Sequence, residues 1–225
     1  MSAAPDGSKE RLLVAAERLF AEYGFEAVTA RQIAMEAGLR NQSAISYHFG
    51  TKDALINELI SVRVTEINQR RGELLNRPGI STDIRGLIGA IAVPLAERAE
   101  RDRNGGAYIR VLAHLFADRK RRDLIVEHQE SAFLLRRIYG DLRTLSGIPA
   151  RLFEERLRFM VGGIIFALAD RERGRDARGR LPEAFPRVAF VPNLIDLSVG
   201  VLTAPVSSET ADGLNATAAH SRSRR

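Results

Sequence analysis

Apolar positions recur along the chain three and four residues apart, and no stretch keeps the two-residue alternation of a half-buried strand. The pattern predicts helices throughout. The first follows Ser8, a good N-cap, and carries Leu12, Ala16, Leu19, Phe20 and Tyr23 on one stripe. Gly24 is expected to end it, because glycine adopts the left-handed conformation at no steric cost. A second helix opens at Thr29, which has capping-box spacing to Gln32, and stops at Gly38. A short third helix covers about Gln42 to His48. Thr51 then caps a long fourth helix bearing Leu55, Ile56, Leu59, Ile60, Val62 and Ile67.

Asn76-Arg77-Pro78-Gly79 breaks this run and divides the chain in two. The pattern resumes with Ile84, Leu87, Ile88, Ile91 and Leu95, and Pro94 is expected to kink or end that helix. Further helices are predicted around Tyr108–Ala117, Asp123–Leu145, Ala150–Arg173 and Pro192–Leu202, with a charged loop from Gly174 to Pro186. The last twenty residues are rich in Ser, Thr, Ala and Arg, a composition that predicts a disordered tail. The expected architecture is all-α: an N-terminal unit over 8–68, a second over 80–204 and a tail over 205–225.

Composition narrows the chemistry. The 225 residues contain no cysteine, which excludes disulfides, thiolate zinc sites and cysteine nucleophiles. The longest apolar stretch, Phe159 to Ala169, is about half of what a bilayer span needs, and no apolar leader opens the chain. A cytoplasmic protein is expected. The formal charge of +6 resides mainly in Arg119 to Arg122, Arg171 to Arg180 and the tail, runs that usually form solvated loops. Local charge is more telling: between Ala27 and Lys52 stand Arg31, Arg40 and Lys52 against Glu36 alone.

That basic segment is also the most patterned. A helix-turn-helix needs a small residue where its helices cross, a glycine in the turn and apolar anchors that fix the crossing. Ala34, Gly38 and the set Ile33, Leu39 and Ile45 meet those needs. In the third helix Ile45 and Phe49 share the inward face, so Gln42, Ser43, Ser46 and Tyr47 fall on the outward face. Such hydrogen-bonding side chains on one narrow helix suit base edges in a major groove. Gln42 can pair with adenine, and Arg40 and Asn41 stand at the helix N-terminus, where base contacts are made.

The following stretch, Tyr47-His48-Phe49-Gly50-Thr51-Lys52-Asp53-Ala54-Leu55, resembles the signature of the tetracycline-repressor (TetR) family. Ala16, Leu19, Phe20, Gly24, Thr29, Ile33, Ala34, Ala37 and Gly38 also carry residue types that members keep. The resemblance extends over about residues 8–68. Counted back from Phe49, the turn after Gly38 is one residue longer than the commonest family pattern. The resemblance implies a dimeric transcription regulator, in which Thr29, Arg31, Tyr47, His48 and Lys52 hold DNA phosphates. For His48 a satisfied structural histidine is the alternative, and for Lys52 a solvated lysine.

In the second half, the helix around Phe159-Met-Val-Gly-Gly-Ile-Ile-Phe is apolar on every side and must be buried all round, with its own core on one face and a partner subunit on the other; a fully internal core helix of a monomer is the alternative. The expected dimer contacts are Phe159, Gly162, Gly163 and Phe166, with Leu194 and Leu197 of the last apolar helix. A pairing of two such helices with their mates is also what the resemblance implies. It further implies a pocket for a small-molecule effector, with Tyr108, His114, Phe116, His128, Phe133 and Tyr139 as candidate walls. The expected partners are palindromic double-stranded DNA, a second copy of the chain and that effector, with no metal and no cofactor. Two rival functions remain at this level. One is an enzyme, although no metal-spaced cluster, phosphate loop or nucleophile elbow is present; the other is a helical module that binds a protein partner.

Overall fold

A computed structural model describes residues 7–40, 43–77, 82–101, 106–118, 121, 129–176 and 186–222. Among them are ten helices and no strand: α1 (Gly7–Ala27), α2 (Ala30–Glu36), α3 (Ser43–Phe49), α4 (Lys52–Leu75), α5 (Ile84–Arg101), α6 (Gly106–Ala117), α7 (Gln129–Ser146), α8 (Ala150–Asp176), α9 (Arg187–Thr203) and α10 (Ser208–Arg222). None of the described helices is, by itself, long and apolar enough to cross a membrane.

Helices α1 to α3 and the start of α4 form the N-terminal head. Leu12, Ala16 and Phe20 of α1, Ile33 of α2, Ile45 of α3 and Leu55 and Leu59 of α4 meet there and are fully or almost fully buried. Burying each such large side chain stabilises the head by about 1.5–3 kcal/mol. At Gly24 the backbone turns left-handed (φ 73°), and Phe25 folds back so that its ring centroid lies 5.0 Å from that of Phe20. Tyr23 departs from the expected stripe. It is 62% exposed, because α1 is covered on two sides and its inner face drifts toward Glu17 and Ala21, where α6 packs.

Several boundaries differ from the sequence-based expectations: α1 continues beyond the kink at Gly24 to Ala27, and α8 runs through Gly174, where a loop was expected, to Asp176. Helix α6 starts two residues early, at Gly106, and α9 starts at Arg187, with Pro192 inside it. Pro94 neither ends α5 nor leaves an orphan. Its missing N–H frees the carbonyl of Ala90 four residues back, and Arg71 Nε of α4 donates to that oxygen at 2.9 Å. Beyond 205 the chain forms α10 where a disordered tail was expected. Ser207 Oγ accepts the Thr210 N–H at 3.3 Å, Glu209 lies in the first turn, and the helix runs through alanine-rich sequence. Local capping outweighs bulk composition there.

The body is built from α4 to α9. Helix α6 is central to it, held between α1 on one side and α8 on the other. One apolar core runs without a break from Leu12 in the head to Leu202 in α9.

Candidate nucleic-acid interface

The local sequence dictates how α3 is presented. Thr29 caps α2 with a complete capping box: its Oγ1 accepts the Gln32 N–H at 3.3 Å, and Gln32 Oε1 accepts the Thr29 N–H at 2.8 Å. Gly38 adopts φ 70° and donates to Met35 O at 3.0 Å, while Leu39 donates to Ala34 O at 2.9 Å. The reversal this creates sends the chain out to α3. Ile33, Ala34 and Ala37 are buried at the crossing, and Ile45 pins α3 from the other side. Gly50 (φ 77°) makes the next reversal, and Thr51 Oγ1 caps α4 by accepting the Ala54 N–H at 3.0 Å.

With Ile45 turned inward, Ser43, Ser46 and Tyr47 lie on the solvent side, and Tyr47 is 83% exposed. Arg31 and Arg40 are exposed on the same stretch of chain. Asn41 and Gln42, expected to read bases, lie outside the described residues.

Three of the expected phosphate ligands make hydrogen bonds within the chain. Lys52 Nζ donates to the carbonyls of Phe25 and Val28 at 2.8 and 3.0 Å, oxygens left open where the chain reverses after Gly24. Lys52 thus closes the end of α1, using two of its three donors inward. His48 Nε2 pairs with Ser8 Oγ at 2.8 Å, and its ring packs edge-on to Tyr47 and Phe49. The Thr29 hydroxyl also donates to Gln32 Oε1 at 2.8 Å, so it serves the cap.

Several residues outside the helix-turn-helix hold the head in place. Glu17 of α1 and Arg63 of α4 form a buried ion pair at 2.7 Å, and Arg63 also donates to Glu66 at 2.9 Å. Arg98 of α5 lies 3.8 Å from both Glu17 and Glu66. Burial pushes the Glu17 carboxyl above its ordinary value, against the attraction of Arg63 and Arg98. Arg121, just after α6, reaches Glu26 at 2.7 Å and Asp53 at 3.6 Å, and its guanidinium covers the Phe25 ring at 5.3 Å. The sequence offered a signal for the first group, a carboxylate inside the apolar stripe of α1. It offered none for Arg121, which sits in a run that reads as a solvated loop.

Among the described residues, the candidate effector walls do not gather at one place. His114 Nε2 lies 3.3 Å from Ala21 O, at the α1–α6 joint. Phe116 packs edge-on to Phe166 and presses on Gly162, where an added Cβ would lie 2.7 Å from its ring. Phe133 is exposed, and His128 lies outside the described residues. Tyr108 and Tyr139 remain, on α6 and α7, both facing Arg71 of α4 closely enough to feel its charge.

Of the expected dimer contacts, Phe159 (75% exposed), Gly163, Phe166 and Leu197 lie on the outer surface. Gly162 and Leu194 turn inward and are already buried in the single chain, Gly162 because α8 must approach Phe116 closely. The outer residues flank an open apolar groove of about 730 Å³ bounded by Phe116, Leu152, Phe159, Phe166 and Val201. The expectation that α8 is covered all round is thus met within one chain on one side only.

Comparison with known proteins is decisive at this point. Residues 12–59 match the family described as "Bacterial regulatory proteins, tetR family", and residues 89–200 match the "Tetracyclin repressor-like, C-terminal domain". The chain belongs to the TetR family. It is 32% identical over 84 residues to the HTH-type transcriptional repressor AcnR of Corynebacterium glutamicum, a match spanning 37% of this chain and 42% of that protein. Among solved structures, it resembles the fatty acid degradation regulator FadR from Bacillus halodurans (TM-score 0.61, 15% identity), over 89% of this chain and 97% of that one. It also resembles Mycobacterium smegmatis AmtR (TM-score 0.54, 22% identity), over 96% and 97% respectively. Likeness at those identities establishes the shared fold: a TetR-family head on a helical body.

Proposed function

We propose that this TetR-family chain is a sequence-specific transcriptional repressor. It acts in the cytoplasm as a homodimer on a palindromic DNA site and is released by a small-molecule effector. The observation that carries this reading is the pose of α3. Ile45 anchors it while Ser43, Ser46 and Tyr47 face solvent and Arg31 and Arg40 stand exposed on the preceding chain, as an element entering a major groove requires. Tyr47 and the arginines position the duplex through its backbone; the serines, with Gln42 and Asn41, read its bases. Two heads related by a two-fold axis match two half-sites separated by whole helical turns.

The test is a gel-shift titration of the full chain on DNA from upstream of its own gene, with unrelated DNA as competitor. Tyr47→Ala should weaken binding to every sequence alike, by roughly tenfold. Gln42→Ala should instead relax preference at one base pair per half-site, a loss of about 1–3 kcal/mol in discrimination. Equal affinity for all DNA at low salt, or no binding at all, would refute the reading.

A further inference from the structure

Two arginines are buried on α4, and the protein treats them differently. Arg63 meets Glu17 and Glu66. Arg71, two turns further along, is as deeply buried and meets no carboxylate among the described residues. Its Nε donates to the Ala90 carbonyl and its Nη1 to the side-chain oxygen of Asn68, both neutral acceptors. Neither acceptor carries a charge that could balance the guanidinium. An uncompensated charge in the interior is among the most costly features a fold can carry. A second polar group nearby is also unsatisfied: the hydroxyl of Tyr108 is fully buried and has no hydrogen-bond partner. Tyr139, half-buried on α7, interacts electrostatically with the same guanidinium. A buried hydroxyl without a partner calls for one, and a bound acceptor would supply it.

The geometry points to an organic monocarboxylate as the effector. Its carboxylate accepts from the Arg71 fork and from the Tyr108 and Tyr139 hydroxyls, and its apolar body lies between α4, α6 and α7. This inference rests on the effector-released repressor proposed above and specifies the chemistry of its ligand. One negative charge is favoured over two because, among the described residues, Arg71 is the buried arginine of α4 that meets no carboxylate. Arg63 and Arg98 beyond Tyr108 are balanced by Glu17 and Glu66, which leaves nothing to neutralise a dianion. An apolar body is favoured because the flanking positions are Ile67 and Leu74 on α4, Leu112 on α6, and Ile138 and Leu142 on α7, all buried.

The placement also explains how the ligand would speak to DNA. Helix α4 starts at the reversal that follows α3, and α6 packs directly on α1. A carboxylate that draws α4, α6 and α7 together therefore acts on both elements that carry the head. By linkage, it shifts DNA affinity by as much as its own affinity differs between the two arrangements.

The experiment is a thermal-melt and calorimetric titration of the DNA-free full-length protein with straight-chain carboxylates from acetate to dodecanoate. The alcohols of matching length and inorganic phosphate serve as comparison probes. At least one carboxylate should raise the melting temperature in a saturable way, and its alcohol should not. Tyr108→Phe should leave the free protein as stable or more stable, since it removes an orphaned hydroxyl, yet bind that carboxylate several-fold more weakly. Arg71→Gln, which retains a donor for the Ala90 carbonyl, should weaken it by about tenfold or more. Equal response to acid and alcohol, an unchanged response in Arg71→Gln, a response to phosphate alone, or no response across the series would each overturn the assignment. Because no DNA is present, such a failure stays distinct from a failure of operator binding, which the gel shift reads separately.

Discussion

A carboxylate placed where an apolar side chain belongs must be matched, and Glu17 shows the cost of that match. It sits between Leu13, Ala16, Phe20 and Ala21 on the buried stripe of α1, and only Arg63 and Arg98 keep it charged. Desolvation outweighs both attractions, so the folded protein holds the Glu17 proton more tightly than the unfolded chain does. The native state then binds more protons than the unfolded state between the ordinary carboxylate value and the raised one. Stability owed to Glu17 is therefore full below the ordinary value of 4.5 and declines as pH rises through the raised value. Urea unfolding of the wild type and Glu17→Gln across pH 4.5 to 8 checks this: the wild type's advantage should shrink with rising pH. An advantage that grows would mean that pairing with Arg63 outweighs desolvation. The same ion pair shows what a linear pattern conveys. A charge inside an apolar stripe is visible in the sequence, whereas its partner, 46 residues away, is not.

Between elements, short-range rules proved legible and long-range commitments did not. The capping box at Thr29, the left-handed glycines at 24 and 38 and the inward Ile45 follow from chemistry within a few residues, and the structure has each of them. Lys52 and Pro94 could not be read that way. Each is settled by a partner brought in by folding: the end of α1 for Lys52, and Arg71 for the carbonyl that Pro94 leaves open. Arg121 belongs to the same group. It joins the region after α6 to both ends of the head's wall, at Glu26 and Asp53. These pairs are partly exposed, so Arg121→Ala should cost no more than about 1 kcal/mol of global stability. Its effect should be local. Amide hydrogen exchange around Phe25–Thr29 and the first turn of α4 should quicken several-fold, while the amides of α8 stay unchanged. Exchange that quickens everywhere equally would show that the clasp serves the whole fold rather than the joint.

At the scale of the molecule, the exposed apolar face of α8 and α9 is a feature that a lone chain leaves unresolved. Phe159, Gly163 and Phe166 lie four and three residues apart on α8, Leu197 faces out from α9, and the groove beside them is predominantly apolar. A two-fold interface buries each of these residues twice, so removing one side chain acts on both halves. Burying a phenylalanine contributes about 1.5–3 kcal/mol. Phe159→Glu should then weaken association by about 4 kcal/mol, roughly a thousandfold, before the cost of covering two carboxylates is added. Sedimentation velocity should show a folded monomer with unchanged helical circular dichroism at micromolar concentration. Operator affinity should collapse with it, because a single head holds one half-site and loses the gain from tethering the second. If Phe159→Glu remained dimeric and retained operator binding, the apolar face of α8 would have to serve some purpose other than joining two heads on one duplex.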